Sequence, residues 1–158
     1  MAYYKRQENH QKYMNKTGKG DTMKKILLVS HGNFSKGIKQ SLEVIVGSSE
    51  GVEAITIQKN TTRSQAKLAF DTFLESLQTQ DQLFVLTDIM QGSTSQYVME
   101  FIQGVANVVV ITGLNLGLLL ELYVTDIKEG QQVDEIIEAA RNSICRIDHQ
   151  KNTTEDEI

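Results

Sequence analysis

Proline is absent from this sequence of 158 residues, and cysteine occurs only once. Without proline, the commonest residue that ends a helix is missing, so glycine, asparagine, serine and threonine must mark the ends of helices and strands. The single cysteine, Cys145, excludes an internal disulfide and any metal site that needs two cysteines. Because free cysteines are usually buried, we predict that Cys145 is an inert core residue rather than a nucleophile.

The chain also lacks an excess of basic charge and any long apolar segment. Its formal net charge is −4, which provides no basic surface for nucleic acid. The longest apolar run, Val108–Leu122, is interrupted by polar residues and glycines, which argues against a membrane span. The first residues do not contain the apolar core of a secretory signal. We therefore expect a cytoplasmic protein that has no nucleic-acid partner.

Polar segments at both ends flank one predicted folded domain. Residues 1–22 show neither the strand period nor the helix period, which is typical of a disordered N-terminal extension. Residues 23–149 are predicted to form the domain, and the polar residues 150–158 to form a loose C-terminal tail.

Apolar runs alternate with segments of helical period throughout the predicted domain. This alternation, at the spacing that a crossover needs, predicts an α/β fold with three layers, a mainly parallel four-stranded sheet and helices on both faces. Residues Ser143–His149 alternate weakly and predict a fifth strand at one edge. The predicted inner elements are strands at Ile26–Val29, Val52–Ile57, Leu83–Thr87 and Val108–Thr112, and helices that start at Asn33, after Asn60-Thr61-Thr62, at Ser93-Thr94, at Leu116 and at Gln131.

Polar or glycine-rich turns follow the first, third and fourth predicted strands. They are Ser30-His31-Gly32, Asp88–Ser93 and Thr112–Asn115. In open α/β sheets, ligands bind beyond the carboxyl ends of the strands, where helix N-termini offer unpaired N–H groups to anions. An imidazole at the first of these turns is well placed to carry a phosphoryl group.

His31 and Asp88 form the predicted catalytic pair. An imidazole attacks phosphorus through one neutral ring nitrogen, while the other nitrogen holds its proton against an acceptor, and a carboxylate fixes that tautomer. Asp88 is the acidic residue of these strand-end turns, so we assign His31 as phosphoryl acceptor and Asp88 as its orienting partner. Phosphoryl-binding groups are expected in the neighbouring turns, at Gly32, Asn33, Gly92, Ser93 and Thr94.

Simpler roles for the same residues stay open at this point. His31 is also consistent with a partly buried, hydrogen-bonded residue, and Asp88 with a helix N-cap, which is the commoner use of aspartate after a strand. Gly92-Ser93 is consistent with turn formation alone. A metal site is disfavoured, because catalytic zinc needs three protein ligands and only His31 and Asp88 come near each other. We expect no cofactor.

Three segments occur in one order along the chain: ILLVSHGNFSKGIKQSLEVIVG from Ile26, LTDIMQGST from Leu86 and TGLNLGLLLEL from Thr112. Together they resemble the IIA component of the mannose-type (mannose, fructose, sorbose) sugar phosphotransferase system. The first is similar to the family's strand, His-Gly and helix. The others are similar to its Asp-x-x-Gly-Gly-Ser-Pro and Gly-x-Asn-Leu-Pro-x-Leu-x-Glu segments. The resemblance covers Met23 to about Asp148.

This resemblance implies a phosphotransferase with a phosphohistidine intermediate. His31 would accept a phosphoryl group from the phosphocarrier protein HPr and pass it to a IIB component, with Asp88 orienting the ring. The IIB component would then phosphorylate a sugar during uptake through membrane IIC and IID components. The resemblance also implies a homodimer in which an antiparallel edge strand, here Ile144–Asp148, is exchanged between the two copies.

The chain departs from the family pattern at Gln91, Thr94 and Gly117, which replace a glycine and two prolines of the family. Gln91 puts a larger side chain beside the predicted site, and Thr94 contributes a hydroxyl where the family has none. Two alternative functions stay open. The phosphotransfer subunit of phosphoenolpyruvate-dependent dihydroxyacetone kinase shares the fold and the strand-end histidine, but typically has Gly-Thr-Ser where this chain has Asn60-Thr61-Thr62. The other alternative is a non-catalytic regulatory domain of the same fold.

Overall fold

The computed structural model describes residues 23–147, in which strands and helices alternate as predicted. Residues 1–22 and 148–158 lie outside the described range, so the N-terminal extension and the C-terminal tail stay predictions. None of the described helices is long and apolar enough to cross a bilayer. The elements are β1 (Lys24–His31), α1 (Phe34–Val46), β2 (Val52–Ile57), α2 (Arg63–Glu75), β3 (Gln82–Thr87), α3 (Ser93–Phe101), β4 (Val108–Thr112), α4 (Leu116–Val124) and α5 (Gln131–Asn142).

The four described strands form one parallel sheet in the order β2-β1-β3-β4. The apolar runs of β1 and β3 are buried on both faces of the sheet, which is why they read as continuous rather than alternating. From β1 the chain crosses to β2 on one side and then returns to β3 on the other. The strand order therefore reverses between β1 and β3, and in sheets of this kind a crevice opens there at the carboxyl ends of the strands.

Helices cover both faces of the sheet, so the predicted three-layer α/β fold is confirmed. Helices α1, α4 and α5 pack on one face over a core that includes Leu42, Phe84 and Leu119. Helices α2 and α3 pack on the other face, around Phe70 and Val85. Because helices pack against both faces of the sheet, the ends of the strands and the turns that follow them are held in fixed positions.

Capping residues set where the helices near the strand ends begin. Thr62 starts α2 through a capping box with Gln65, as the Asn60-Thr61-Thr62 segment predicts. The N-cap residue of α3 is Gly92 rather than the predicted Ser93 or Thr94, and both hydroxyl residues therefore lie within the first turn of the helix. This one-residue difference matters for the site, because it leaves their hydroxyl groups available for other contacts.

Two predictions for the segment after α5 differ from the structure. Residues 143–147 form no strand within the described chain, and Asp148 and His149 lie outside it, so the fifth, antiparallel edge strand is not seen. A strand needs a neighbouring strand that forms hydrogen bonds with its backbone N–H and C=O groups. Residues 143–147 pair with none of the four described strands. Cys145 is exposed for the same reason, so the prediction that it is a core residue is wrong.

Candidate active site

Two neighbouring strands bring His31 and Asp88 together at the carboxyl edge of the sheet. His31 is the last residue of β1, and Asp88 directly follows β3, which pairs with β1. The side chain of His31 is 44% exposed, whereas that of Asp88 is 12% exposed. The imidazole is therefore accessible to another molecule, while the carboxylate behind it is largely shielded from water.

One carboxylate oxygen of Asp88 holds both the backbone and the ring of His31. The backbone N–H of His31 donates to Asp88 Oδ2 over 2.8 Å, and His31 Nδ1 lies 2.8 Å from the same oxygen. An ionised carboxylate only accepts hydrogen bonds, so Nδ1 must carry the proton and Nε2 must hold the free lone pair. Nε2 lies 3.1 Å from Ser93 Oγ, at the start of α3. The site thus selects one tautomer of His31.

The second oxygen of Asp88, Oδ1, accepts hydrogen bonds from the backbone N–H of Ile89 at 3.0 Å and from Thr94 Oγ1 at 2.9 Å. Burial alone would raise the pKa of Asp88, but the hydrogen bonds from His31, Thr94 and Ile89 together outweigh it and lower that pKa below its usual value. The carboxylate is therefore ionised at neutral pH. Because Gly92 is the N-cap of α3, the alternative that Asp88 serves as its N-cap is wrong.

Gly92 makes room for the imidazole. A Cβ atom at this position would lie 3.0 Å from His31 Cε1 and 3.2 Å from Ile89 Cδ1, closer than ordinary carbon contacts. The backbone of Gly92 is extended, with φ of 177°, so the requirement for glycine here is steric rather than conformational. The larger Gln91 side chain, which replaces a family glycine, is exposed to solvent.

The predicted phosphoryl-binding residues divide into two groups. The Gly32 N–H donates to Ile57 O over 2.9 Å, and the Thr94 hydroxyl donates to Asp88, so both donors are already engaged within the protein. The side-chain oxygen of Asn33 accepts a hydrogen bond from Gln58 Nε2 over 3.1 Å, a contact that engages an acceptor of Asn33 and not its N–H donors. The Ser93 hydroxyl lies beside Nε2, next to the first N–H groups of α3, which have no acceptors within the helix.

The turn after β4, which the sequence also marked, supports the end of β3. The backbone N–H groups of Gly113 and Leu114 both donate to Thr87 O, at 3.0 and 2.9 Å. Asn115 is the N-cap of α4, and its side chain accepts from the N–H of Leu118 over 3.0 Å. These hydrogen bonds hold the strand end from which Asp88 follows.

Three exposed apolar side chains lie close to His31 or Asp88 along the chain, and the sequence analysis missed them: Phe34 begins α1, and Ile89 and Met90 lie in the turn after β3. Phe34 is 46% exposed, Ile89 51% and Met90 76%. We call these three residues the apolar rim. For Ile89 and Met90 the signal in the sequence was present, because apolar residues in a polar turn after a strand have no core to enter. Their exposure is typical of a surface that another protein covers.

The geometry suits reversible transfer of a phosphoryl group. A half-exposed imidazole presents the Nε2 lone pair, and its Nδ1–H is held by an ionised carboxylate that can stabilise a positive charge on the ring. A hydroxyl and a helix N-terminus lie where an anion bound at Nε2 would sit. Within residues 23–147, no group of three or more His, Cys, Asp or Glu side chains could hold a metal ion.

Comparison with known families connects this geometry to a group of transport proteins. A family model described as "PTS system fructose IIA component" matches residues 25–141, which is most of the chain and all of the elements that build the site.

Solved structures that are similar to this chain include several PTS IIA proteins. The PTS IIA protein associated with the fucose utilization operon of Streptococcus pneumoniae is 27% identical, with a TM-score of 0.71 and coverage of 84% of this chain and 98% of its own. PTS component EIIA of Streptococcus agalactiae is 26% identical, with a TM-score of 0.69 and coverage of 82% and 99%. The mannose/sorbose-specific IIA subunit of Enterococcus faecalis has a TM-score of 0.72 over 80% and 96% of the two chains; at 20% identity it shows a shared fold alone.

Proposed function

This chain belongs to the PTS system fructose IIA component family, and on that basis we propose that His31 receives a phosphoryl group from HPr and passes it to a IIB component. The family establishes the general role, that of a phosphotransfer component in a sugar phosphotransferase system. One observation carries the residue assignment. His31 Nδ1 lies 2.8 Å from Asp88 Oδ2, which leaves Nε2 as the unprotonated nitrogen of a side chain that is 44% exposed.

In the proposed reaction, the Nε2 lone pair of His31 attacks the phosphorus atom carried by HPr. The bond between Nε2 and phosphorus forms as the bond between phosphorus and the donor atom of HPr breaks. The proton on Nδ1 stays on the ring throughout, and the Asp88 carboxylate balances the positive charge that develops there. Transfer to the IIB component repeats these steps in the opposite direction.

Stabilisation of the phosphoryl oxygens is proposed to come from Ser93 and the start of α3. The Ser93 hydroxyl, 3.1 Å from Nε2 in the unphosphorylated chain, can turn to donate to a phosphoryl oxygen. The first N–H groups of α3 add the positive end of the helix dipole. Phosphoryl transfer needs little covalent chemistry from the protein beyond such positioning and charge.

Family membership favours sugar transport over the dihydroxyacetone kinase alternative. The segment Asn60-Thr61-Thr62, which stands where that kinase subunit has Gly-Thr-Ser, caps α2 through Thr62. We place the protein in the cytoplasm, where HPr and the IIB component would reach it, and where it would act with membrane IIC and IID components only through IIB.

We also propose that the chain forms a homodimer through the segment after α5. Ile144 and Ile147 are 76% and 77% exposed, and β4, the strand at the sheet edge, leaves Val110 37% exposed. An unpaired strand edge and exposed isoleucines together favour strand addition from a second copy. Truncation after Asn142 should convert a dimer to a monomer in sedimentation equilibrium, whereas a full-length monomer at micromolar concentration would contradict this proposal.

The phosphocarrier assignment is tested by incubating the chain with phosphoenolpyruvate, enzyme I and HPr. We expect an acid-labile, base-stable phosphate on the wild type and none on His31→Ala. The paired variants His10→Ala and His149→Ala control for the two other histidines, and both should be labelled normally. Absence of label on the wild type, or equal label on His31→Ala, would overturn the assignment.

A further inference from the structure

The hydroxyl of Thr94 reaches out of α3 to the carboxylate of Asp88. Thr94 is fully buried, with 0% of its surface exposed, and its Oγ1 lies 2.9 Å from Asp88 Oδ1. The hydroxyls of Ser41 and Thr72 donate to a carbonyl of their own helix. Those of Ser35 and Ser95 donate outside their helices, to Ile55 O and Ile89 O. The Thr94 hydroxyl also donates outside its helix, and its acceptor is the carboxylate of Asp88 in the candidate site.

We propose that Thr94 is a positioning residue, whose hydroxyl fixes the plane of the Asp88 carboxylate and thereby the tautomer and orientation of His31. This inference rests on the proposed function for its effect on phosphoryl transfer. Its effect on the ring and on the carboxylate does not depend on that function.

The division of donors between the two carboxylate oxygens supports this role. Oδ2 receives the backbone N–H and the ring of His31, and Oδ1 receives Thr94 and the N–H of Ile89. The Ile89 N–H belongs to the adjacent peptide and moves with Asp88. Thr94 is anchored independently in α3, one turn before the fully buried Val98. Rotation of the carboxylate away from the ring would break the Thr94 hydrogen bond.

A merely structural reading of Thr94 is that a buried hydroxyl needs some partner, and that Asp88 happens to be the nearest one. The two readings predict different results when the hydroxyl alone is removed. If Thr94 only fills space, its loss changes stability and leaves the ring unaffected. If it positions Asp88, its loss frees the carboxylate and weakens the hold on Nδ1–H. The Thr94 hydrogen bond is also among those that lower the pKa of Asp88, so that pKa should rise.

Thr94→Val and Thr94→Ser form a matched pair for this test. Valine keeps the branched shape and removes the hydroxyl, whereas serine keeps the hydroxyl and removes the methyl group. We expect Thr94→Val to slow phosphorylation of His31 by phosphorylated HPr about tenfold, the range typical of residues that orient a functional group through another. Thr94→Ser should retain most of the wild-type rate. In an Asp88→Asn background, Thr94→Val should have little further effect, because the group it positions is changed.

Two measurements need no partner protein and separate this inference from the proposed function. Nitrogen-15 NMR of the His31 ring should show a smaller Nδ1–H population in Thr94→Val than in the wild type, and carbon-13 NMR should show a higher Asp88 pKa. Wild-type tautomer, titration and phosphorylation rate in Thr94→Val would overturn the inference. If Thr94→Val does not fold, Thr94→Ser and Thr94→Ala replace it, and equal ring tautomers in those two variants would overturn the inference as well.

Discussion

At the residue scale, the proposed chemistry depends on Asp88 Oδ2, which binds both the backbone and the side chain of His31. The backbone hydrogen bond places the oxygen beside β1, and the ring hydrogen bond then leaves the imidazole a single favoured orientation. Both contacts are already formed in the chain by itself. The nitrogen that we propose as the nucleophile, Nε2, is therefore oriented before any reaction, which is how an orienting carboxylate contributes.

Asp88→Asn should slow phosphorylation of His31 by roughly 100-fold or more while preserving the fold. The amide has nearly the same shape, but it carries no charge to balance the ring and can present an N–H instead of an acceptor to Nδ1. Single-turnover transfer from phosphorylated HPr measures the rate, and circular dichroism checks the fold. Unchanged transfer kinetics would show that Asp88 has no part in the reaction.

Gly92→Ala should slow phosphorylation about tenfold, since its methyl group would lie 3.0 Å from His31 Cε1 and push the ring off Asp88. The extended backbone at Gly92 accepts alanine, so the loss should appear in transfer rate more than in stability.

Gly37→Ala is the matched control, because Gly37 lies within α1 and an added Cβ meets nothing within 4 Å. We expect this change to raise the free energy of unfolding, measured by chemical denaturation, by about 0.5–1 kcal/mol. The rate of phosphoryl transfer should be unchanged. Equal kinetic effects of the two glycine substitutions would contradict the steric role of Gly92.

At the scale of secondary-structure elements, a partly buried lysine joins the first strand to the end of α4. Lys24 Nζ donates to the carbonyl oxygens of Leu122, Tyr123 and Thr125 over 2.6, 2.8 and 2.7 Å. These carbonyls lie at the C-terminal end of α4, where the helix dipole favours a positive charge. The contact fixes α4 against the sheet at the edge opposite the active site.

Lys24 should make stability depend on pH at alkaline values. Burial lowers the pKa of Lys24 to about 8, and the charge of Asp126 offsets part of this effect. Between pH 8 and 10.5 the folded chain binds fewer protons at this site than the unfolded chain, so the free energy of unfolding rises with pH in that range. From pH 8 to 10.5, the free energy of unfolding of the wild type should rise by on the order of 3 kcal/mol more than that of Lys24→Met.

Urea denaturation of both proteins at several pH values provides the measurement. Lys36→Met, at an exposed position of α1, controls for the loss of one positive charge. Parallel stability curves for the wild type and Lys24→Met would contradict the assigned effect of burial.

At the scale of the whole molecule, we expect a partner protein to dock at the carboxyl edge of the sheet, where the apolar rim of Phe34, Ile89 and Met90 is exposed. Met90→Asp should raise the KM for phosphorylated HPr roughly five- to tenfold with little change in kcat, the size of effect expected from one well-buried interface residue.

Val44→Asp is the matched control, since Val44 is 86% exposed and lies about 15 Å along α1 from the residue that begins the helix. This substitution should leave KM unchanged. If Met90→Asp and Val44→Asp behave alike in steady-state phosphorylation, HPr docks on another face.

The fold was predictable because its inner strands are continuous apolar runs and the segments between them have the helical period. The runs Ile26–Val29 and Leu83–Thr87 lie in inner strands, and the polar turns after them meet at the reversal of strand order. Contacts between residues that lie far apart in the sequence could not be predicted. The capping of α4 by Lys24 joins residues about a hundred positions apart and has no local pattern. The edge strand after α5 was predicted from weak alternation, which does not reveal whether a pairing edge is within reach.

The site was predictable in outline and not in detail. Residue types at strand ends were enough to pair His31 with Asp88, since neighbouring parallel strands end together. The contact of Gly92 with the imidazole depends on where α3 begins, which differed by one residue from the prediction. The same shift turned the Thr94 hydroxyl from a predicted phosphoryl ligand into a partner of Asp88.

The most direct test of the central claim identifies which nitrogen carries the phosphate. The chain is labelled with nitrogen-15 at the histidine rings, phosphorylated through phosphoenolpyruvate, enzyme I and HPr, and studied by phosphorus-31 and nitrogen-15 NMR. The account predicts one phosphorus–nitrogen coupling, at Nε2 of His31, with Nδ1 still protonated against Asp88. Coupling at Nδ1 of His31, or at any other histidine, would contradict it.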